Sequence, residues 1–344
     1  MKYSNLLQTQ IKVSKICLGT MTFGEQNTQE EAFQQLNFAF EKGVNFIDTA
    51  EMYSVPMKAE TYGRTEEIIG NWLQESGKRD NIVLATKASG PGPKHIRKGP
   101  KFTFDHLNEA LNNSLKRLKT DYIDLYQLHW PERNSPRFGA LHYQPNLEEE
   151  YTDFREILES LMYFIKAGKI RHIGISNETP WGMMKMIQIA EKFDLPKYVS
   201  IQNPYSLLNR VFEISHSEIC ERENVGLLAY SPLGGGLLSG KYRNNENPDG
   251  SRYNLFPNYF GRYKHPNTQI ATEEYCKLAE ENSLTPTQLA LAFVNSRPFL
   301  TANIIGATTM QQLEENIHSI YIELSEEVLR KIDEIHFNYP NPAP

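Results

Sequence analysis

Four side chains in the N-terminal half of the chain have the types and spacing for acid–base chemistry: Asp48, Tyr53, Lys87 and His129. Asp48 closes the run Val44-Asn45-Phe46-Ile47, and Tyr53 follows five residues later. A carboxylate at the tip of a buried strand needs a partner, because an unpaired charge in a dry site is costly. Lys87 closes Ile82-Val83-Leu84-Ala85-Thr86, and His129 closes Ile123-Asp124-Leu125-Tyr126-Gln127-Leu128. A free phenol, with a pKa of ~10, is a poor acid at neutral pH, and a neighbouring ammonium pulls that value down by stabilising the phenolate. Asp48 would keep Lys87 charged and in place, and His129 would hydrogen-bond and orient a carbonyl oxygen. The set suits protonation of that oxygen as negative charge develops on it. Each residue alone has a plainer role, as a helix cap, a solvated lysine or a structural histidine. Together they stand at the mouths of three consecutive strands, which favours one shared site.

The elements that must position them alternate regularly. A small hairpin is expected over residues 3–13, with its turn near Gln8-Thr9-Gln10. Strands then read at 15–18, 44–47, 82–86, 122–128, 172–175, 198–201, 225–230 and 303–305. The helices between them read at 28–42, 65–76, 105–119, 152–167, 180–193 and 212–224, within 272–295, and at 310–320 and 325–336. Thr28 with Glu31 forms a capping box, and Gly43 and Gly168 are C-terminal stops. Eight strand-then-helix units imply a parallel sheet, and their number and the chain length favour a closed (β/α)8 TIM barrel over an open doubly wound sheet. The first turn, Gly19-Thr20-Met21-Thr22-Phe23-Gly24, lacks the GxGxxG of a Rossmann sheet. No linker divides the chain, so residues 1–344 read as a single domain, with long βα loops at 91–100, 132–145 and 240–265. Loops on the C-terminal side of barrel strands cover the active site.

Composition narrows the partners. The 344 residues are 40% hydrophobic and 23% charged, with a formal net charge of −6, which speaks against nucleic acid or an anionic membrane surface. No apolar run is long enough to span a bilayer, and no signal-peptide core follows Met1. Cys17, Cys220 and Cys276 lack metal or disulfide spacing and read as buried thiols of a cytoplasmic protein. No metal site is expected.

A carbonyl that accepts a proton also needs a nucleophile at carbon, and other strand ends suggest hydride from a nicotinamide. Asn177 and Gln202 can pair with a carboxamide, and Tyr230 offers a ring for stacking. Pro232-Leu233-Gly234-Gly235-Gly236 lets backbone amides approach a pyrophosphate. Gly306-Ala307-Thr308-Thr309 opens a helix at Met310 and offers a second place for an anion. Lys241 and Arg252 could clasp a ribose phosphate.

These residues resemble the aldo-keto reductase superfamily. The resemblance rests on Asp48-Thr49-Ala50-Glu51-Met52-Tyr53, Gln127-Leu128-His129-Trp130-Pro131, Gly174-Ile175-Ser176-Asn177, Gln202-Asn203-Pro204-Tyr205 and Tyr230-Ser231-Pro232-Leu233. It extends to Gly306-Ala307-Thr308-Thr309-Met310-Gln311-Gln312-Leu313-Glu314-Glu315-Asn316. Within the superfamily the chain resembles the Tas-type bacterial reductases, themselves similar to potassium-channel β-subunits. The resemblance implies an NADP(H)-dependent barrel enzyme that reduces an aldehyde or ketone, with Tyr53 as acid, Lys87 and Asp48 tuning it and His129 orienting substrate. It implies that Ser176, Asn177, Gln202 and Tyr230 hold the nicotinamide of NADPH/NADP+, that Thr20 and Met21 line its pocket, and that Ser231 and Leu233 also contact the cofactor. Gly306, Thr308, Gln312, Glu315 and Asn316 would hold the adenosine end, with Lys241 and Arg252 near the 2′-phosphate. The chain departs from simpler members at residues 54–61, which intervene before Tyr62-Gly63-Arg64-Thr65-Glu66 and bring a second tyrosine near the mouth.

Two other readings stand beside carbonyl reduction. One is a cofactor-retaining regulatory or binding subunit with slow turnover. The other is a Schiff-base aldolase using Lys87, which would need a lysine kept away from carboxylates. Substrate shape is expected to depend on residues 89–102, 132–145 and the tail 339–344; the oligomeric state is left open.

Overall fold

The computed structural model describes residues 1–144, 146, 148–258 and 261–344. Strands β1 (Tyr3–Asn5) and β2 (Lys12–Ser14) pair as the expected antiparallel hairpin. The barrel follows with β3 (Ile16–Gly19), β4 (Phe46–Asp48), β5 (Val83–Ala88), β6 (Ile123–Leu128), β7 (Ile170–Ser176), β8 (Ser200–Pro204), β9 (Gly226–Tyr230) and β10 (Leu300–Ile305). All eight pair in parallel, and β10 closes the ring against β3. This is the (β/α)8 barrel that the alternation implies.

Helices α1 (Gln29–Glu41), α2 (Arg64–Ser76), α3 (Phe104–Leu118), α4 (Phe154–Lys166) and α5 (Pro180–Phe193) return the chain between successive strands. Thr28 and Glu31 cap α1 reciprocally, as expected. The helix expected over 212–224 is instead two, α6 (Val211–Ser215) and α7 (Ser217–Arg222). They break at His216, whose ring turns inward and contacts the Glu178 carbonyl at 3.0 Å. Then come α8 (Arg252–Leu255), α9 (Pro266–Glu281), α10 (Pro286–Asn295), α11 (Met310–His318) and α12 (Glu326–Asn338).

Strand alternation sends side chains of one parity inward. Cys17, Phe46, Val83, Ala85, Leu125, Leu228, Ala302 and Ile304 fill the lower barrel, joined by Leu6 and Val13 of the hairpin, which plug its N-terminal end. The outward residues pack under the helices as the larger apolar layer. Two residues beyond Phe46, Ala85, Leu125 and Leu228, the same parity brings Asp48, Lys87, Gln127 and Tyr230 to the upper interior. The core therefore turns polar at its C-terminal rim. All three cysteines are buried and unbridged. Among the described residues no helix is long and apolar enough to cross a membrane.

Candidate active site

Asp48 is the last residue of β4 and is 2% exposed. Its Oδ2 accepts from Lys87 Nζ at 2.6 Å, and its Oδ1 accepts from Gln202 Nε2 at 2.9 Å and Gln127 Nε2 at 3.1 Å. The carboxylate is thus saturated by one cation and two amides, the condition under which a buried charge is tolerated. Lys87 also donates to the Thr49 carbonyl at 2.8 Å. It lies inside β5, one residue short of the end rather than just past it, because β5 runs on to Ala88. Gln127 is a site residue that the sequence reading missed. Its signal was parity: it stands two residues before His129, inside the strand that His129 follows. Gly174 makes room for it, since a Cβ there would meet Gln127 Cγ at 3.0 Å and Ser200 Oγ at 2.8 Å.

Tyr53 lies on the loop after β4, with the Lys87 ammonium 5.0 Å from its ring centre. His129 packs edge-on to Tyr53 at 5.8 Å between ring centres. The His129 backbone is fixed by donation to the Ala88 carbonyl at 2.9 Å. Burial, reinforced by the Lys87 charge, pushes the imidazole well below its usual range, so the ring is neutral near pH 7. Its Nδ1 is buried without a partner among the described residues.

The second tyrosine has a different environment. Tyr62 donates to Glu51 Oε2 at 3.2 Å, and burial together with the Glu51 charge pushes its phenol up to about 12. Glu51 is itself gripped by Arg97 through two 2.6 Å contacts and by the Ser89 amide at 2.6 Å. This buried pair ties the Tyr53 loop to the loop after β5. The sequence reading missed it as well, since 46 residues separate the partners.

The residues expected at a nicotinamide form a connected chain. Ser176 ends β7 and donates to the Gln202 carbonyl at 2.7 Å. Asn177 adopts a positive φ of 53° and donates to the His129 carbonyl at 2.9 Å. Tyr230 donates to Asn177 Oδ1 at 2.7 Å. Gln202 lies within β8, not beyond it, and its Nε2 is committed to Asp48 and Gln127. Its amide oxygen is the atom left for a ligand. Thr20 donates to the Asp48 carbonyl at 2.9 Å, and Met21 packs beside Tyr53.

Beyond Ser231 and Leu233, Gly234, Gly235 and Gly236 have φ of 54°, 68° and 99°. Successive residues of this hand suit a cradle of amides for an anion. A Cβ on Gly236 would lie 3.3 Å from Lys241 Nζ, so the ammonium stands over the turn. Burial and the neighbouring Arg252 charge pull Lys241 below its ordinary value, a repulsion that a bound phosphate would relieve. At the start of α11, Gln312 Oε1 accepts from the Thr308 amide at 3.0 Å, and Asn316 donates to the Gly306 carbonyl at 3.1 Å. Glu315 accepts from Thr285. The donor set therefore fits a dinucleotide lying from Tyr230 to α11. Pro145, Tyr259 and Phe260 of the two long loops lie outside the described residues.

A model of the Aldo/keto reductase family matches residues 15–336. The chain belongs to this family. It is 47% identical to Protein tas of Escherichia coli (strain K12), across the whole of both chains. It is 34% identical to the uncharacterized oxidoreductase YrpG of Bacillus subtilis (strain 168), covering all of this chain and 97% of the relative. Norsolorinic acid reductase B of Dothistroma septosporum is 28% identical over all of this chain and 83% of its own. The family makes the chain an oxidoreductase of a class that generally uses NAD(P)H and acts on small carbonyl compounds.

Proposed function

We propose that this family member reduces an aldehyde or ketone to an alcohol with NADPH, using Tyr53 as the general acid. The observation that carries the reading is the placement of Lys87 Nζ, 2.6 Å from the Asp48 carboxylate and 5.0 Å from the Tyr53 ring centre. Bound reduced nicotinamide supplies hydride to the carbonyl carbon. Tyr53 hands its proton to the carbonyl oxygen. The Lys87 ammonium lowers the cost of the phenolate left behind, and Asp48 keeps that ammonium charged and directed. Neutral His129 donates from a ring nitrogen to the same oxygen and sets its approach. Ser176, Asn177 and the Gln202 amide oxygen hold the carboxamide; Lys241 and Arg252 clasp the 2′-phosphate. A Schiff base on Lys87 is disfavoured because its nitrogen is committed to Asp48 Oδ2 at 2.6 Å and to the Thr49 carbonyl at 2.8 Å.

Steady-state reduction of 4-nitrobenzaldehyde by NADPH tests the reading. Tyr53→Phe is expected to lower kcat by about 10²–10⁴-fold and to leave NADPH binding within a factor of two. Undiminished turnover in this variant would remove Tyr53 from the role. Absence of turnover in the wild type would favour a cofactor-holding regulatory subunit.

A further inference from the structure

One cavity of the mouth is not accounted for by the tetrad or the dinucleotide tract. It has a volume of about 290 Å³ and lies beyond Asn177, where the loop after β6, the long loop after β9 and the C-terminal tail converge. Arg137, Phe138, Asn177, Asn203, Arg262 and Pro344 are among its walls. The convergence is tight, since a Cβ on Gly139 would stand 2.8 Å from Arg262 Cβ. The tail is pinned there by the Ala343 amide on the Leu208 carbonyl at 3.1 Å and by Thr268 on the Pro342 carbonyl at 2.7 Å.

Its polar groups are unequally satisfied. Among the described residues neither Arg137 nor Arg262 has a carboxylate within 4.0 Å. Arg137 reaches only the Arg133 carbonyl and Ser135 Oγ, at 3.4 and 3.5 Å. The nearby carboxylates are engaged elsewhere: Glu178 is gripped by both terminal nitrogens of Arg133, and Glu149 accepts from the Asn134 amide. Asn203 is 8% exposed and its Oδ1 has no partner, while its Nδ2 makes one long contact of 3.5 Å to the Glu178 carbonyl. Burial holds the Arg137 guanidinium below its ordinary value, with the Arg133 charge, against the opposing pull of Glu149 and Glu178. The two guanidiniums around one cavity are donors in want of an acceptor.

The cavity adjoins the reacting centre, since Asn177, one of its walls, donates to the His129 carbonyl at 2.9 Å and aromatic rings bridge the two. Phe138 packs on Trp130 at 5.9 Å, and Trp130 packs on His129 at 4.8 Å between ring centres. Arg262 also faces the Tyr230 phenol. Residues 89–102 carry Lys94, Lys98 and Lys101 with no carboxylate in the same stretch, Arg97 being held by Glu51, in a chain whose net charge is −6. That local field attracts anions to the mouth.

We infer that the substrate is an oxo acid: its carbonyl sits at Tyr53 and His129, and its carboxylate reaches across Trp130 and Phe138 to Arg137 and Arg262. The inference rests on the carbonyl-reductase reading and adds the substrate class to it.

The test compares 4-carboxybenzaldehyde with its methyl ester, both reduced by NADPH. In the wild type kcat/KM for the acid is expected to exceed that for the ester by about tenfold or more, through KM. That preference should shrink as NaCl is raised, because the charges are partly exposed to screening. Arg137→Gln and Arg262→Gln should each collapse the acid-to-ester ratio toward one. The ratio is internal to each preparation, so a loss of folded protein cancels. A wild-type ratio at or below one, or a ratio untouched by both substitutions, overturns the inference while leaving the reductase reading intact. Failure to reduce either aldehyde sinks the reductase reading and this inference with it.

Discussion

Two buried aspartates on neighbouring parts of one sheet have opposite fates. Asp48 sits at the C-terminal end of β4, and Asp124 sits near the N-terminal end of β6; they are 2% and 1% exposed. Asp124 accepts from Arg79 at 2.8 Å, from Arg171 at 2.7 Å and from the Leu84 amide at 2.9 Å. Its cations are arginines, held by planar forks that stay protonated under all ordinary conditions. They also stack on Tyr122, with guanidinium-to-ring distances of 3.8 and 4.2 Å. The Tyr122 hydroxyl is spent on Asp80, to which it donates at 3.0 Å. Asp48 has a lysine, whose ammonium is a point charge with a side left over for the Tyr53 ring. The difference lies in the cation and in what stands behind it. Burial and hydrogen-bond count are alike at the two sites. Both aspartates thus have a phenol behind their cation, but Tyr122 donates to Asp80 at the foot of the barrel, whereas Tyr53 stands beside His129 at the C-terminal rim, where we propose the chemistry lies.

Substitutions can break this contrast. Asp48→Asn is expected to lower kcat by about 10²–10³-fold, with a smaller loss of stability because the amide keeps its shape between two glutamines. Asp124→Asn should do the reverse. It leaves two arginines without their anion and should cost about 3 kcal/mol of unfolding free energy, the usual scale for one missing partner of a buried pair. Turnover per folded molecule should then stay at the wild-type level. Denaturant midpoints and kcat measured on the same preparations decide this. Equal kinetic damage from both would show that the contrast is false.

A smaller effect is expected at the dinucleotide tract. Arg252→Ala should weaken NADPH binding by about tenfold, the scale of one charge-assisted contact, and NADH binding hardly at all, by fluorescence titration. Equal losses would take Arg252 away from the 2′-phosphate.

The smallest effect is a change of slope. Burial pushes His216 down from 6.5 to about 4 despite its contact with the Glu178 carbonyl. The unfolded chain therefore binds the proton first on acidification. The contribution of neutral His216 is complete above pH 6.5 and is lost as pH falls toward about 4. Buried His129 acts in the same sense. In His216→Gln the fall in stability across that window should be shallower, and an unchanged slope would place the proton uptake elsewhere.

The barrel was legible because the sequence alternates strand and helix with few interruptions, and the tetrad because strand ends are where barrels keep their polar side chains. Boundaries slipped where residues serve the interior. Gln202 reads as a turn residue by type but belongs to β8, since its inward parity takes it to Asp48. The split at His216 was hidden because a histidine inside a helical pattern gives no local sign of turning toward another element. Glu51 with Arg97, and Arg137 with Arg262, were invisible for a related reason. Their meeting depends on how long loops fold over the rim, and loop composition does not encode approach. The second tyrosine was visible as a rival to Tyr53, but what separates them, the Glu51 carboxylate beside Tyr62, is a matter of geometry.

The hairpin at the foot of the barrel has a consequence for traffic. With Leu6 and Val13 seated in the lower interior, the chamber is a blind well. With its foot filled, the barrel leaves Tyr53 approachable from the C-terminal rim, the side on which the loops after β4, β6 and β9 lie. Loops that lean over that rim, as those bearing Arg137 and Arg262 do, govern arrival and departure together.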